Sequence, residues 1–375
     1  MLGHPGKRED DMYSESDLEA AVAAGAMTPD AAASLRNYVA GRRATPMVDE
    51  EQFRLLTGFN DIFVGVAAAI LLAALAMIGH WVGPNIDYDG PSPTSGLLVA
   101  AAAWGLAEFF TRKRRMALPS ILLLLAFVAG VFATVTFSLV LTIGVERFED
   151  NETLFGSIVA ASAAVAVGGA WLHWRRFKVP ITIAAGSLAL CAGALGLIAT
   201  AVADSEQLDD ILLGFALALG IGVFLFAMWW DSSDPRRETR RSDVAFWLHL
   251  LAAPLIVHPV FSLLGLTDGD ATVLEAIVVL LLYVFLGVTA LAIDRRALLV
   301  SALAYVLWAL SDLFERFGAV ELNVALTALV IGSGLLILSA FWHNARRAVV
   351  RPLPPGLQAR LPVIDRPPAG TPLAT

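Results

Sequence analysis

The chain has 375 residues, 57% hydrophobic and 16% charged, with a mean hydropathy of +0.70; soluble domains sit nearer about 45–50% and about 25%, so a soluble globular protein is excluded. The formal net charge of −8 hides a segregation of the two signs, and the basic residues fall in short turns without interleaved aromatics, which excludes a nucleic-acid-binding surface. A single cysteine, Cys191, lies in an apolar run and excludes an intrachain disulfide or a cysteine-based metal cluster.

Residues 1–12 are charged and featureless and are expected to be disordered, and no cleavable signal peptide is expected before the first full-length apolar run. Residues 13–48 are expected to form a small cytosolic helical hairpin, carried by SESDLEAAVAAGAMTPDAAASLRNYVAGRR at 14–43. Ser16 and Glu19 fit a capping box, Gly25 suits a left-handed helix end, and Thr28 followed by Pro29 suits a second helix start. Leu18 and Val22 make one apolar stripe, and Leu35 and Val39 another. Two helices this short are marginal alone in water, so the hairpin needs a surface: the membrane domain, a second copy, or a cytosolic protein partner. Residues 49–60 read as an interfacial lead-in, with Phe53, Leu56 and Phe59 at the headgroup boundary.

Ten apolar spans follow within 61–343, at 61–82, 95–111, 117–144, 154–174, 179–203, 209–230, 244–266, 272–293, 297–314 and 322–342. Each is long enough, at about 1.5 Å per residue, to cross or nearly cross a hydrocarbon core of about 30 Å. The links alternate in sign. Those at 112–115, 175–178, 231–243, 294–296 and 343–351 carry sixteen Lys and Arg; those at 84–94, 146–153, 204–210, 267–271 and 314–321 carry two, Arg147 and Arg316. The positive-inside rule then places both termini in the cytoplasm.

The third span runs without charge from Met116 to Val145, too long for one perpendicular crossing and too short for two, which predicts one tilted or protruding helix. Arg114 to Pro119 and Arg175 to Pro180 are both RRxxxP, and Arg295-Arg296 and Arg346-Arg347 echo the arginine pair. The pattern predicts tandem helical hairpins in parallel orientation and weighs against the inverted repeats of many transporters. The tail at 344–375 holds seven prolines in its last 25 residues and is expected to be disordered and cytosolic. The fold class is thus an all-α integral membrane protein of about ten transmembrane helices with a small cytosolic N-terminal hairpin.

Small residues recur every four positions: Gly156, Ala160, Ala164 and Gly168 in the fourth span, Ala192, Gly196 and Thr200 in the fifth, and Gly214, Ala218 and Gly222 in the sixth. Helices in lipid associate through close backbone approach, so these lines predict a tightly packed centre. Ionisable groups inside spans are functional candidates by default. Glu108 is placed to pair with the arginines of RKRR, and His173 sits between Trp171 and Trp174 in an expected aromatic belt, as His80 and Trp81 do at the other boundary.

Three positions form a candidate polar site: His258 in the seventh span, Glu275 opening the eighth and Asp312 near the end of the ninth. A histidine and a carboxylate facing one outward hollow can share a proton or hold a cation. The plainer alternative pairs Asp312 with Arg316 and lets neutral His258 satisfy a carbonyl freed by Pro259. His249 and His258 are nine residues apart, on opposite sides of a helix, and are not co-ligands. No span carries HExxH, GxSxG or a phosphate loop; no catalytic residue, metal or cofactor is expected.

LHLLAAPLIVHPVF, AIDRRALLVSALAYVLWALSDLF and LNVALTALVIGSGLLILSAFWH resemble the C-terminal half of multi-pass inner-membrane proteins of alphaproteobacteria, and 14–43 is similar to a short N-terminal domain that opens many bacterial membrane proteins. The resemblance implies a bacterial inner-membrane location and this architecture; it carries over no catalytic residue. The expected role is non-enzymatic, in sensing or scaffolding through the cytosolic hairpin. The alternative is a secondary transporter with its polar site between spans seven to nine.

Overall fold

A chain segment that crosses lipid must close its backbone hydrogen bonds within itself, and the long apolar runs here do so as α-helices. The computed structural model describes residues 21–32, 34–35, 59–86, 90–147, 151–235, 237, 239–265, 273–316 and 323–363. The chain divides into two units, Met1–Gln52 with Asp365–Thr375, and Phe53–Ile364.

In the first unit the described residues show one helix ending and another beginning. Gly25 has φ of 70°, its N–H donates to Val22 O at 3.1 Å, and Ala26 N–H donates to Ala21 O at 3.0 Å. This is a Schellman ending, which needs the left-handed conformation that glycine adopts without strain. Thr28 Oγ1 accepts from Ala31 N–H at 3.2 Å, capping the next helix ahead of Pro29. Ser16, Leu18, Glu19, Val39 and the lead-in up to residue 58 lie outside the described residues.

The second unit is helical in chain order: α1 (Phe59–Val82), α2 (Pro93–Phe110), α3 (Ala117–Ile143), α4 (Glu152–Phe177), α5 (Ile181–Ala201), α6 (Leu208–Ser232), α7 (Arg240–Leu263), α8 (Val273–Ile293), α9 (Ala297–Arg316), α10 (Asn323–Ala340), α11 (Trp342–Val350) and the single turn α12 (Pro355–Gln358). No strand occurs among the described residues. Seven helices, α1–α7, are long and apolar enough to cross a membrane, and the α10–α11 pair, bent by 74°, adds an eighth if it is one span. The apolar parts of α8 and α9 are shorter among the described residues, Ile277–Ile293 and Leu298–Leu307. The protein is an all-α, multi-pass membrane protein. As the uncharged run predicts, α3 is one helix of 27 residues, about 40 Å long at about 1.5 Å per residue.

Three pairs joined across basic links pack most extensively, α4 on α5, α6 on α7 and α2 on α3; α1 on α2 and α3 on α4, joined across acidic links, follow. Glycines set how closely they cross. A Cβ at Gly96 would stand 2.7 Å from Gly130 O, one at Gly156 would stand 2.5 Å from Gly196 O, and one at Gly220 would stand 2.7 Å from Leu255 O. Only a residue without a Cβ permits these approaches.

Of the lines of small residues, Gly156, Ala160, Gly196 and Thr200 do lie in the α4–α5 crossing, but Ala164, Gly168 and the line on α6 are displaced from theirs. Gly168, Gly214 and Gly222 have nothing within 4 Å of a built Cβ, and Ala164 and Ala218 are exposed, while Ala160 is half-buried. The buried line on α6 is Gly220, Val223, Ala227 and Asp231, two residues out of phase with the predicted one. Small residues are tolerated on the lipid face, so spacing alone does not say which line meets a neighbour.

Helix α7 remains helical through Pro254 and Pro259. Pro259 cannot donate to Leu255 O, and that carbonyl is the one beside Gly220 of α6. The proline frees the acceptor, and the glycine lets the neighbouring helix cover it.

The tail departs from expectation. Residues up to 363 fold back on the basic end: Gln358 Nε2 donates to Leu353 O at 2.7 Å and Arg351 O at 3.1 Å, and Val363 N–H reaches Pro235 O at 3.4 Å. Proline forbids long helices but not a hydrogen-bonded path of turns.

Candidate functional site

At the basic end of α6–α9 and α11, the links that look topogenic in sequence are drawn into one buried charge cluster. Asp231, in the last turn of α6, has a side chain with no exposure. Arg295 Nη2 donates to its Oδ1 at 2.6 Å and Nε to its Oδ2 at 3.2 Å, the fork geometry that matches guanidinium to carboxylate. A third Arg295 bond reaches Ser242 O on α7 at 3.1 Å. His249 Nε2 lies 3.5 Å from Asp231 Oδ2, and Arg237 Nη2 lies 3.8 Å from it.

Arg237 joins this pair to a second carboxylate. It has φ of 53° and donates from Nη1 to Asp294 Oδ2 at 2.9 Å. Its Nη2 caps the end of α8 at Ile293 O and Asp294 O, at 3.0 and 3.1 Å. Asp294 itself is left-handed, φ 57°, ending α8 in a Schellman motif in which Asp294 N–H and Arg295 N–H donate to Leu291 O and Ala290 O. That conformation turns its carboxylate toward Arg237 and α11, where Trp342 Nε1 donates to Oδ1 at 2.8 Å. Arg346 Nε stands 3.7 Å from the same oxygen, and its Nη2 and Nη1 hold the tail at Pro362 O and Val363 O, at 2.6 and 3.2 Å. Asp234 closes the α6–α7 link by accepting from Thr239 N–H and Oγ1 at 2.9 and 2.7 Å.

Burial opposes ionisation of Asp294, yet the guanidiniums of Arg237 and Arg346 and the Trp342 N–H outweigh it and hold the carboxyl below the usual carboxylate range. A depressed folded pKa gives stability that is complete above the unfolded value of about 3.9 and is lost as pH falls through the folded pKa. The stability difference between the parent and Asp294→Asn is therefore expected to stay constant from about pH 8 to pH 5 and to shrink below about pH 4. Thermal unfolding across pH in detergent measures it; a difference that grows on acidification would contradict the assignment.

The sequence-predicted residues fall elsewhere. His258 is exposed and does not bond its own helix: Nδ1 lies 2.7 Å from Tyr305 OH on α9, whose ring packs at a tilt against Phe261 with centroids 4.4 Å apart. The side chains of Glu275 and Asp312 lie outside those described. Asp312 follows Tyr305 by about two helical turns of α9, about 10 Å along its axis at about 1.5 Å per residue. His249, by contrast, is fully buried against Asp231 and Phe224, so the two imidazoles have separate partners.

Glu108 does meet Arg112 of RKRR, at 3.2 Å, but its closer partner is Arg176 of α4, at 2.6 and 2.9 Å. His173 is not at a boundary surface. It is wholly buried, ringed by Trp104, Phe127 and Phe177, with Nδ1 3.4 Å from Thr182 Oγ1. Its ring points inward, toward α2, α3 and Thr182 of α5, rather than outward with exposed Trp171.

Reading the basic links only as topogenic signals missed Asp231, Arg237, Asp294, Arg295 and Arg346. The available signal was acidic: Asp231 and Asp294 sit in links where orientation needs arginines alone. Among the described residues no three of His, Cys, Asp and Glu gather as a metal-binding group. The arrangement forms a clamp of alternating charges through α6, α7, α8, α11, the links between them and the tail. Comparison with known proteins adds no relative: no family model, no curated protein and no solved structure matches the chain.

Proposed function

We propose that the chain is a non-enzymatic protein of the bacterial inner membrane, with ten spans and both termini cytoplasmic, that senses or scaffolds through its N-terminal unit. The observation that supports a non-catalytic reading is the use made of the buried charges. Asp231 and Asp294 are each held between arginines, so these two carboxylates are engaged in tying helices together. The α8 and α9 segments count as the eighth and ninth spans because each lies between links of opposite sign.

The test of place and topology uses a Cys191→Ser background carrying single cysteines at 84–94, 146–153, 204–210, 267–271 or 314–321. All five are expected to react with an impermeant thiol reagent from outside; two adjacent links on one side would defeat the count of ten. The scaffold role predicts that removing residues 1–52 changes self-association or cytosolic crosslinking of the full chain and leaves the membrane unit folded.

A second reading, a proton-linked transporter, is favoured by the His258–Tyr305 pair on α7 and α9. In proteoliposomes with an internal pH dye, a proton flux that His258→Ala and Tyr305→Phe abolish would support it. Flux equal to protein-free vesicles would leave the scaffold reading.

A further inference from the structure

The two halves of the second unit treat their basic links differently. In α6–α11 the arginines Arg237, Arg295 and Arg346 are buried against aspartates. In α1–α5 the links at 112–115 and 175–178 carry seven cations, all exposed, against the single carboxylate of Glu108. Glu108 does not disperse them: by accepting from Arg112 at 3.2 Å and from Arg176 at 2.6 Å it pins the two links side by side.

The neighbouring cations are held at the hydrocarbon boundary by aromatic rings. Arg114 lies 5.5 Å from the Phe109 ring, Arg175 4.9 Å from Trp171, and Lys178 5.1 Å from Trp174. Trp171 and Phe109 are themselves exposed, in the position of an interfacial aromatic belt. A ring under a long cationic side chain fixes its height and leaves its outer donors to the headgroup layer.

We propose that this patch is a binding site for anionic phospholipid, with the headgroup phosphate seated between Arg114, Arg175 and Lys178 and the acyl chains lying along Phe109 and Trp171. The excess of positive charge fits an anionic headgroup and not a zwitterionic one, whose amine would meet the same cations. Aromatic flanks on the lipid-facing side fit an amphiphile and not a free phosphate.

The experiment uses the full chain in detergent, with native mass spectrometry reading bound phosphatidylglycerol against phosphatidylcholine. The parent is expected to retain phosphatidylglycerol preferentially, and the variant Arg114→Gln/Arg175→Gln/Lys178→Gln to lose that preference by about tenfold or more, since each surface cation adds to the attraction for anionic lipid. This variant keeps the Glu108–Arg176 pair. The variant Arg240→Gln/Arg241→Gln, which removes exposed cations from the other half, is expected to behave as the parent. If the triple variant does not fold, the parent's preference must still fall as salt rises from about 0.1 M to about 1 M. Equal retention of the two lipids, equal loss in both variants, or displacement by millimolar inorganic phosphate would each overturn the proposal.

Discussion

Asp231→Asn is expected to destabilise the protein by about 3–5 kcal/mol, the usual cost of removing one partner from a buried ion pair. The carboxylate has no exposed surface and receives both forks of Arg295. Its loss leaves the Arg295 guanidinium, also buried, with Ser242 O as an acceptor that offsets only part of its desolvation. Arg237 loses its second carboxylate as well, 3.8 Å away. Because the cluster joins α6, α7, the α8–α9 link and α11, the expected unfolding is cooperative and lowers folded yield along with thermal stability.

A double substitution separates the two terms in that cost. Asp231→Asn combined with Arg295→Met removes both charges and restores an apolar contact of similar length, so much of the lost stability is expected to return. A double variant no better than the single one would show that Arg295 acts through Ser242 O and helix capping instead of through Asp231. Thermal unfolding of the parent, the single variant and the double variant in one detergent decides it.

Architecture is legible in this sequence because lipid imposes few solutions: length, hydropathy and the sign of each link fix helix, boundary and neighbour. The start of α4 at Asn151 and its left-handed stop at Lys178 follow local chemistry in the same way. The buried cluster was not legible, because its bonded members lie 48 to 64 residues apart in the chain and each has a sufficient local explanation. Arg295 looks topogenic, Asp294 looks like a turn residue, and Trp342 looks like an interfacial anchor. Their meeting depends on the bend between α10 and α11, which no periodicity announces. The same holds for His258, whose partner Tyr305 hides among apolar neighbours in α9, where a tyrosine is unremarkable.

The phase of the glycine lines supplies the second large effect. Gly156→Leu and Gly220→Leu are expected to destabilise by about 1–3 kcal/mol or more, since the new side chain must displace backbone and not a mobile side-chain tip. At Gly156 the first atom of that side chain already falls 2.5 Å from Gly196 O and 2.9 Å from Thr200 N; at Gly220 it falls 2.7 Å from Leu255 O. The α4–α5 and α6–α7 crossings would have to open along their length, breaking the Thr200 Oγ1 bond to Thr153 O at 3.2 Å in the first case. Gly168→Leu and Gly222→Leu, in the same helices, meet nothing within 4 Å and add apolar surface toward lipid, so their stability is expected to stay within about 0.5 kcal/mol of the parent. Helix propensity favours leucine over glycine by several tenths of a kcal/mol, about the size of that margin, and pushes all four variants the same way. A difference between the pairs therefore measures helix crossing alone. Thermal unfolding and folded yield of the four variants in one detergent provide the comparison, and equal tolerance of Gly156→Leu and Gly168→Leu would place the α4–α5 contact on another face.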